Sequence, residues 1–319
     1  MKLTLNERPW EKPNMKPMTA KTYENAKSLS RFVDDTDLCT QPKLDGVRCI
    51  SWFRPKGHKI ISHQWKEKIL KSDHVQISSR TEKFLGASHV TNDAEKFLAG
   101  VGEEMYLDGE LYIHGKRFQD IQSIVSRCNH PDKESLEYHI YDCYFPSNPQ
   151  LDFDGRSSWL ADTFDKWATS KQNVKYRREF GSIRRVETLF EVQQDELETI
   201  LGLNIHDGYE GIMIRDPSSV YTTGKRSPGL LKYKKWHDEE FAVIAIEEGK
   251  GKFEGAAILV CEVNNRTFRV TSPGTMTQKH WIWDSHEDYI GKMITVKYQE
   301  KTADGIPRFP IALSFRADL

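Results

Sequence analysis

The stretch QPKLDGVRCISWF, residues 41–53, places a lysine, an aspartate and an arginine directly before a run of apolar and aromatic residues. The pattern at 47–53 predicts a strand, so Lys43 lies beside structure that we expect to be buried. A lysine next to buried structure costs free energy unless its charge is paired or used. The stretch therefore raises the question of what Lys43 does at this position.

Lys43 has a chemical interpretation and a plain one. Its amine is a nucleophile only when neutral, and an unperturbed lysine, with a pKa of about 10.4, is neutral in roughly one molecule in a thousand near pH 7. An active site would lower that pKa by desolvation or by neighbouring cations. Gly46 would let the backbone turn closely, Asp45 would shape that turn, and Arg48 would bind a phosphate. The plain interpretation is an exposed Asp–Gly hairpin turn with unrelated charges.

Composition bounds the class of protein. The chain has 319 residues, which suits two domains, and its hydrophobic fraction of 38% is enough for a sizeable core. The net charge is −1, so only local clusters of charge are informative about partners. The five cysteines are scattered without a CxxC pair, which argues against a zinc site or a disulfide framework. We find no signal segment and no membrane-length apolar run, and we expect a monomer in the cytoplasm, the host-cell cytoplasm if the protein is viral, without membrane attachment.

The pattern of elements changes near Trp236. Before it, a Pro- and Lys-rich arm (1–20) precedes short strands that alternate with helices; we predict helices at 91–100, 118–128, 156–170 and 192–203, and strands at 47–53, 105–115, 138–145, 184–192, 209–216 and 229–236. After it, strands are separated by Gly and Asn turns, with the hairpin signal VNNRTF at 263–268 and a helical insert at 275–289. The sequence therefore predicts a first domain at 1–236 and a small five-stranded β-barrel at 237–319.

Two further motifs place carboxylates at or beside strands. LDGEL (107–111) carries Glu110, and carboxylates at strand ends can hold Mg²⁺ or a ribose hydroxyl. YEGIMIRD (209–216) has Glu210 ahead of a strand and Arg215 near its end. Taken alone, the first motif is another Asp–Gly turn and the second is a solvated strand end.

The lysines of LLKYKKW (230–236) alternate along a predicted strand. Lys232 and Lys234 share one face, where their charges repel unless an anion lies between them. Phosphate is the obvious anion, and nearby cations would also help to lower the pKa of Lys43. An exposed strand face is the alternative interpretation.

The ordered set of motifs resembles the covalent nucleotidyltransferase superfamily, which contains ATP-dependent DNA ligases, RNA ligases and mRNA capping enzymes. The motifs that carry the resemblance are KLDGVR, LDGEL, YDCYF, YEGIMIR and LLKYKKW. Within that superfamily the chain looks like a small ATP-dependent DNA ligase of the bacteriophage type, because GKGKFEGAAILV (249–260), PRFPIALSFR (307–316) and SSRTEKF (78–84) are similar to ligase segments. The resemblance implies an α+β fold: a nucleotidyltransferase (adenylation) domain of antiparallel sheets with flanking helices, followed by an OB-fold barrel.

The resemblance also implies roles for individual residues. Lys43 matches the adenylated lysine, and Lys232 and Lys234 match the catalytic pair on the α-phosphate. The other nucleotide-binding residues that it implies are Gln41 at the adenine, by side chain or backbone, Tyr141 (or Tyr144) stacked on the base, Arg48 and Glu110 at the ribose and phosphates, Arg80 near the nucleotide or the DNA 5′-phosphate, and Arg215 in support. Glu110 and Glu210 match metal-binding carboxylates. Many members end in a longer Arg- and Asp-bearing motif, for which Arg316 and Asp318 are the candidates here.

The implied substrates are ATP, with Mg²⁺, and nicked double-stranded DNA. In the reaction that the resemblance implies, lysyl-AMP forms on Lys43, AMP moves to the 5′-phosphate of a nick, and the 3′-hydroxyl then displaces it. The basic segments 175–185 and 224–236 are candidate sites for binding DNA phosphates, or else solvated basic faces. An RNA ligase, a GTP-dependent capping-type enzyme and a non-catalytic nucleic-acid binder with an OB fold are the alternatives, and the complete set of site residues disfavours the last.

Overall fold

The structure is a computed structural model, and it describes residues 15–30, 32, 37–56, 59–61, 67–69, 74–81, 83, 85–127, 129–169, 181–302 and 304–316. The chain forms two compact units, of which the first ends at Tyr233 and the second begins at Lys234. The predicted arm up to residue 14, residues 175–180 of one basic segment, and Asp318 lie outside the described residues.

The first unit alternates strands and helices along the chain. Its strands are β1 Thr19–Thr22, β2 Leu38–Lys43, β3 Val47–Arg54, β4 Lys59–Ile61, β5 Glu67–Ile69, β6 His74–Ser79, β7 Met105–Tyr112, β8 Glu137–Tyr144, β9 Ile183–Arg185, β10 Leu189–Val192, β11 Gly211–Arg215 and β12 Arg226–Tyr233. Its helices are α1 Ser88–Phe97, α2 Phe118–Ser126, α3 Phe153–Thr169 and α4 Leu197–His206, with 3₁₀ turns at Ala26–Leu29, Lys133–Ser135 and Gln194–Glu196.

Two five-stranded sheets organise this unit. Sheet 1 has the order β1-β12-β11-β2-β10, and sheet 2 has the order β6-β3-β7-β8-β9. Most neighbours are antiparallel, while the edge pairs β1–β12 and β8–β9 are parallel. Strands β4 and β5 pair separately.

Apolar clusters explain how the two sheets are covered. Leu230 of sheet 1, Ile50 and Tyr106 of sheet 2, and Met18 and Tyr221 from the connecting segments belong to one buried cluster. A larger cluster buries sheet 2 against α1, α2 and α3, and a third buries sheet 1 against α4. Each sheet thus packs apolar side chains on two faces.

The second unit is built around one five-stranded antiparallel sheet, sheet 3. Its strands β13 His237–Glu248, β14 Ala257–Val263, β15 Arg266–Thr271, β16 Met293–Tyr298 and β19 Ile311–Phe315 follow the order β15-β14-β13-β16-β19. A separate pair is formed by β17 Glu300–Lys301 and β18 Pro307–Arg308. The outermost strands β15 and β19 also approach each other, and helix α5 Met276–Asp284 packs on β13 and β14. The other short helices are 3₁₀ turns at Gly251–Phe253 and His286–Tyr289.

The structure confirms the predicted α+β class, with mostly antiparallel sheets and flanking helices in the first unit and a smaller β-rich second unit. The VNNRTF hairpin is also confirmed, because Asn264 and Asn265 have φ of 50° and 58° in the turn between β14 and β15. The strand expected at 229–236 ends at Tyr233, so Lys234 lies beyond it. The single strand expected at 184–192 is wrong, since β9 pairs in sheet 2 and β10 in sheet 1. Apolar alternation marks both pieces, but it does not show where a chain changes sheets. Among the described residues, no helix has the length and apolar character needed to cross a bilayer.

Candidate active site

The segment Leu44–Gly46 carries the chain from sheet 1 to sheet 2. Lys43 is the last residue of β2, and Val47 is the first residue of β3. Because those strands belong to different sheets, the segment is a buried crossing rather than an exposed hairpin turn. A Cβ on Gly46 would lie 2.4 Å from the Leu111 carbonyl oxygen, so only glycine fits here. The Gly46 N–H donates to Glu110 Oε1 at 3.1 Å.

Lys43 is held by groups on two sides. Its ammonium forms an ion pair with the Glu210 carboxylate and donates to the Leu44 carbonyl at 3.3 Å. The Glu210 N–H in turn donates to the Lys43 carbonyl at 3.1 Å. The two side chains are only 20% and 15% exposed, so the pair is partly desolvated. Both ends of the lysine are therefore fixed near the start of β11.

Lys232 lies on β12 of the same sheet. Its partner on β11 is Met213, whose partner on β2 is Gln41, two residues before Lys43. Its pKa is lowered by burial, and further by the charges of Lys43 and Arg226. The two predicted lysines 43 and 232 are thus electrostatic neighbours. A pocket that holds two mutually repelling cations is suited to a phosphate.

Glu110 and Arg48 face the same region from sheet 2, where they are paired across β7 and β3. Burial raises the pKa of Glu110 to about 7, although Lys43 and Arg48 oppose this shift. Arg48 is anchored by Asp108, with Nε to Oδ1 at 2.8 Å, and by the Met18 carbonyl, with Nη2 to oxygen at 2.7 Å. Burial lowers the pKa of Arg48, but Asp108 outweighs burial and raises it.

The two candidate base-stacking tyrosines lie in different surroundings. The Arg48 guanidinium lies over the Tyr141 ring at 5.6 Å from its centre, beside the residues already described. Tyr144 packs against the rings of Tyr106 and Tyr221 between the two sheets. The structure therefore brings Tyr141, rather than Tyr144, to Arg48.

Gln41 and Arg215 are buried, each 3% exposed. Gln41 Oε1 accepts from Arg215 Nε at 2.7 Å, and its Nε2 donates to the Tyr141 carbonyl at 3.0 Å and to Thr188 Oγ1 at 2.9 Å. Arg215 also donates to Asp142 at 2.7 Å. Both N–H donors of the Gln41 amide are thus used within the protein, so one of these bonds would have to break before the amide could donate to adenine.

Three more predicted residues are Arg80 of the first unit and Lys234 and Arg316 of the second. Arg80 is exposed in the turn after Ser79, whose partner on β3 is Cys49. Lys234 belongs to the second unit, where its ammonium donates to Gln299 at 3.2 Å. Arg316 pairs with Glu240 in the same unit, at 3.0 Å.

Sequence reasoning missed Asp142 and Arg156. Asp142 lies in the YDCYF motif beside buried Cys143, and Arg156 begins the predicted helix RSSWLADTFDKWATS, yet each is 1% exposed. A carboxylate inside an apolar strand pattern signals a partner, because charged groups are rarely buried alone. The identity of that partner could not be found from the sequence.

A metal ion at this candidate site would be coordinated by few protein side chains. Among the residues that the structure describes, no group of three or more His, Cys, Asp or Glu side chains is arranged to hold an ion. Mg²⁺ is commonly held by one or two carboxylates together with substrate phosphates. Glu110 and Glu210, which both lie near Lys43, fit that kind of site.

Comparison with known proteins identifies the family of the chain. Residues 17–234 match the family model of the ATP dependent DNA ligase domain, and residues 248–316 match that of the DNA ligase OB-like domain. The chain is 28% identical over 315 residues to the DNA ligase of African swine fever virus (isolate Pig/Kenya/KEN-50/1950), an alignment that covers 94% of this chain and 68% of the viral protein.

Solved structures share the fold. A structure titled "Pmar-Lig_Pre." superposes with a TM-score of 0.74 at 20% identity, covering 95% of this chain and 68% of the other. A second, titled "DNA binding with a minimal scaffold: Structure-function analysis of Lig E DNA ligases", gives 0.64 at 22% identity and covers 94% and 98%. Since the ligase-domain model spans more than half of the sequence, the chain belongs to the family of ATP-dependent DNA ligases.

Proposed function

We propose that Lys43 is the nucleophile that accepts AMP from ATP, and that the chain then seals nicks between a 5′-phosphate and a 3′-hydroxyl in duplex DNA. The observation that carries this proposal is the position of the Lys43 ammonium, fixed at the end of β2 beside Glu210 and near Lys232. The family supplies ATP as substrate and nicked DNA as the object of the reaction. The residue roles are our assignment.

Lys43 must lose a proton before it attacks. The Glu210 carboxylate, which contacts the ammonium, is placed to take that proton. Lys232 is close enough for its charge and that of Lys43 to repel, and its own pKa is lowered by burial, Lys43 and Arg226. The amine then attacks the α-phosphorus, a P–N bond forms, and pyrophosphate leaves with the electrons of the broken P–O bond.

The two later steps restore the lysine. A 5′-phosphate oxygen of the nick attacks the lysyl-AMP phosphorus, the P–N bond breaks, and AMP becomes joined to the DNA. The 3′-hydroxyl then attacks the 5′-phosphorus and AMP leaves. Lys232 is placed to stabilise negative charge on the phosphate oxygens, and Lys234 is proposed for the same role on the family resemblance alone.

Tyr141, Arg48 and Glu110 form the proposed nucleoside side of the pocket. Tyr141 would stack on adenine, and Glu110 would accept a hydrogen bond from the ribose. Glu110 and Glu210 would hold Mg²⁺, which when bound would neutralise charge on the ATP phosphates. Arg80 is proposed to contact the nucleotide or the DNA 5′-phosphate.

The proposed DNA surface begins next to Lys232. The basic segment 224–236 is bonded to the chain just before β1: the Gly224 N–H donates to the Lys16 carbonyl at 2.7 Å, and the Thr19 N–H donates to the Lys225 carbonyl at 2.9 Å. Lys16 therefore lies with Lys225 and Arg226 at the β1–β12 edge. These three cations are exposed, and among the described residues none of them forms an ion pair with a carboxylate. They are suited to bind DNA phosphates.

A label chase tests the function. The protein is incubated with Mg²⁺ and α-labelled ATP, with α-labelled GTP in parallel, and a nicked duplex is then added. We expect ATP label on the protein, its transfer to DNA and a sealed nick, with no label on Lys43→Ala and normal label on Lys96→Ala, an exposed lysine 65% accessible.

Other outcomes separate the alternatives. Labelling by GTP would indicate a capping-type enzyme, and sealing of nicked RNA alone would indicate an RNA ligase. No covalent label would contradict the proposal and leave a binding protein. A domain division at 236/237, a monomeric state and a cytoplasmic location remain predictions.

A further inference from the structure

Four buried polar side chains form one continuous chain of hydrogen bonds, which we call the inter-sheet network: Gln41, Arg215, Asp142 and Arg156. Arg215 Nε donates to Gln41 Oε1 and its Nη1 donates to Asp142 Oδ2, both at 2.7 Å. Arg156 Nε donates to Asp142 Oδ1, also at 2.7 Å. All four side chains are 3% exposed or less, so none of them reaches solvent.

The inter-sheet network joins the two sheets of the first unit. Gln41 and Arg215 belong to β2 and β11 of sheet 1, Asp142 belongs to β8 of sheet 2, and Arg156 belongs to α3. The apolar side chains of the surrounding cluster make contacts that do not depend on direction. Hydrogen bonds to a guanidinium fork are directional, so they fix the geometry of the groups that they join.

The charges of the network depend on one another. Burial raises the pKa of Asp142, but Arg156 and Arg215 outweigh burial and hold it below its usual range. Arg156 also donates to the Leu151 carbonyl at 2.7 Å and to the Ser219 carbonyl at 3.1 Å, and Arg215 lies 4.4 Å from the centre of the Phe153 ring. Removing one member would leave a buried charge without its partner.

Both ends of the proposed nucleotide pocket are attached to this network. Gln41 is two residues before Lys43 on β2, and its amide donates to the carbonyl of Tyr141 at 3.0 Å. Tyr141 is adjacent to Asp142 on β8. The network therefore connects the strand of the nucleophile to the strand of the proposed adenine-stacking ring.

We propose that Arg156 is a positioning residue, which through Asp142 and Arg215 sets the separation between Lys43 and Tyr141 for attack on the ATP α-phosphate. This inference rests on the proposed function of Lys43. Arg156 itself is 1% exposed and cannot touch the nucleotide from that position. Small misplacements of reacting groups lower rates by up to about a hundredfold, so loss of the Arg156 fork should slow adenylation.

The test compares Arg156→Met and Arg156→Lys in the full chain, with Lys133→Met as the matched control. Lys133 is another buried cation, 7% exposed, whose ammonium donates to the carbonyls of Ile124 and Val125 at α2. Formation of the protein–AMP adduct is measured in single turnover against ATP concentration, at a temperature where circular dichroism shows each variant folded. A second assay measures sealing of a nick that already carries the DNA-adenylate.

We expect Arg156→Met to slow adduct formation by roughly 10- to 100-fold and to need a higher ATP concentration for its half-maximal rate. The rate of sealing of pre-adenylated DNA should fall less than threefold. Arg156→Lys, which keeps the charge and loses the fork, should recover part of the rate, and Lys133→Met should adenylate like wild type. If folded Arg156→Met or Arg156→Lys forms the adduct at the wild-type rate, with the wild-type half-maximal ATP concentration, the network is only structural and the inference is wrong. Should Arg156→Met not fold, Arg156→Lys alone decides between these results. Failure of the proposed function would instead appear as no adduct in wild type, or as an adduct in Lys43→Ala.

Discussion

The pocket of the first unit and sheet 3 of the second unit hold charged side chains in opposite ways. In the pocket, Lys43 and Glu210 are 20% and 15% exposed, and Arg215 and Asp142 are 3% and 0% exposed. On sheet 3, Arg269 and Glu247 form an ion pair at 2.7 Å while 59% and 47% exposed. Exposed pairs contribute little because water screens them, whereas a buried charge without its partner is costly. Burial therefore indicates where a substitution should matter for chemistry.

The largest effect in this comparison is expected at Lys232. Lys232→Ala removes the cation beside Lys43, so we predict a fall of roughly 100- to 1,000-fold in the rate of adduct formation, as for loss of a charge-stabilising donor. Lys234→Ala, made in parallel, should have a smaller effect because the Lys234 ammonium contacts Gln299 in the second unit. Single-turnover labelling with ATP measures both. A Lys232→Ala enzyme as fast as wild type would remove Lys232 from the pocket chemistry.

The next effect concerns DNA rather than ATP. Changing Lys16, Lys225 and Arg226 together to glutamine should weaken binding to nicked duplex DNA. The slope of log K for binding against log salt concentration should become less steep by about 3, nearly one unit for each phosphate that the protein no longer neutralises. Adduct formation should stay within a few fold of wild type. The control is Lys116→Gln with Arg117→Gln, whose side chains already pair with Asp132 and Asp120. An unchanged salt slope in the triple variant would contradict the proposed surface.

A smaller effect is expected from Glu110 on stability against pH, measured without ATP and Mg²⁺. Burial raises its pKa from 4.5 to about 7, so between these values the folded state keeps a proton that the unfolded state has lost. This group therefore lowers the free energy of unfolding as pH rises from about 4.5 to about 7. Glu110→Gln cannot ionise, and its stability relative to wild type should be higher at pH 8 than at pH 5. Urea titrations at both pH values measure this difference.

Glu254→Gln, at an exposed position, is the control for that titration. Its stability relative to wild type should be the same at pH 5 and pH 8. If Glu110→Gln behaves identically, the carboxyl of Glu110 is not perturbed by burial.

The smallest effect is expected on sheet 3. Arg269→Ala breaks the exposed pair with Glu247, and we predict a melting temperature like that of wild type. Differential scanning calorimetry measures it, with Phe241→Ala in the core of the same unit as the destabilised reference. A large loss of stability in Arg269→Ala would show that exposed pairs in this unit are stronger than burial indicates.

The sequence predicted the parts of the fold that local patterns encode. The strand at 47–53 is observed as β3, and the Asn264–Asn265 turn has the backbone conformation that its residues favour. The arrangement of Lys43 with Glu210 and Lys232 was expected from the family motifs, and the structure places these residues together.

The inter-sheet network could not be predicted from the sequence. Arg215 and Gln41 are 174 residues apart, and Arg215 and Asp142 are 73 apart, so no local pattern joins them. The family resemblance implied that Arg215 supports the lysine pair on the α-phosphate. The structure instead buries it in the network, since β11 is a central strand of sheet 1 that faces sheet 2.

The most direct test of the central claim is to locate the AMP. The protein is incubated with ATP and Mg²⁺, digested, and analysed by mass spectrometry of its peptides, with Lys43→Ala treated identically. We predict one adenylated peptide, with AMP on the amine of Lys43, and none in the variant. AMP on another residue, or an adduct that persists in Lys43→Ala, would contradict the assignment of Lys43 as the nucleophile.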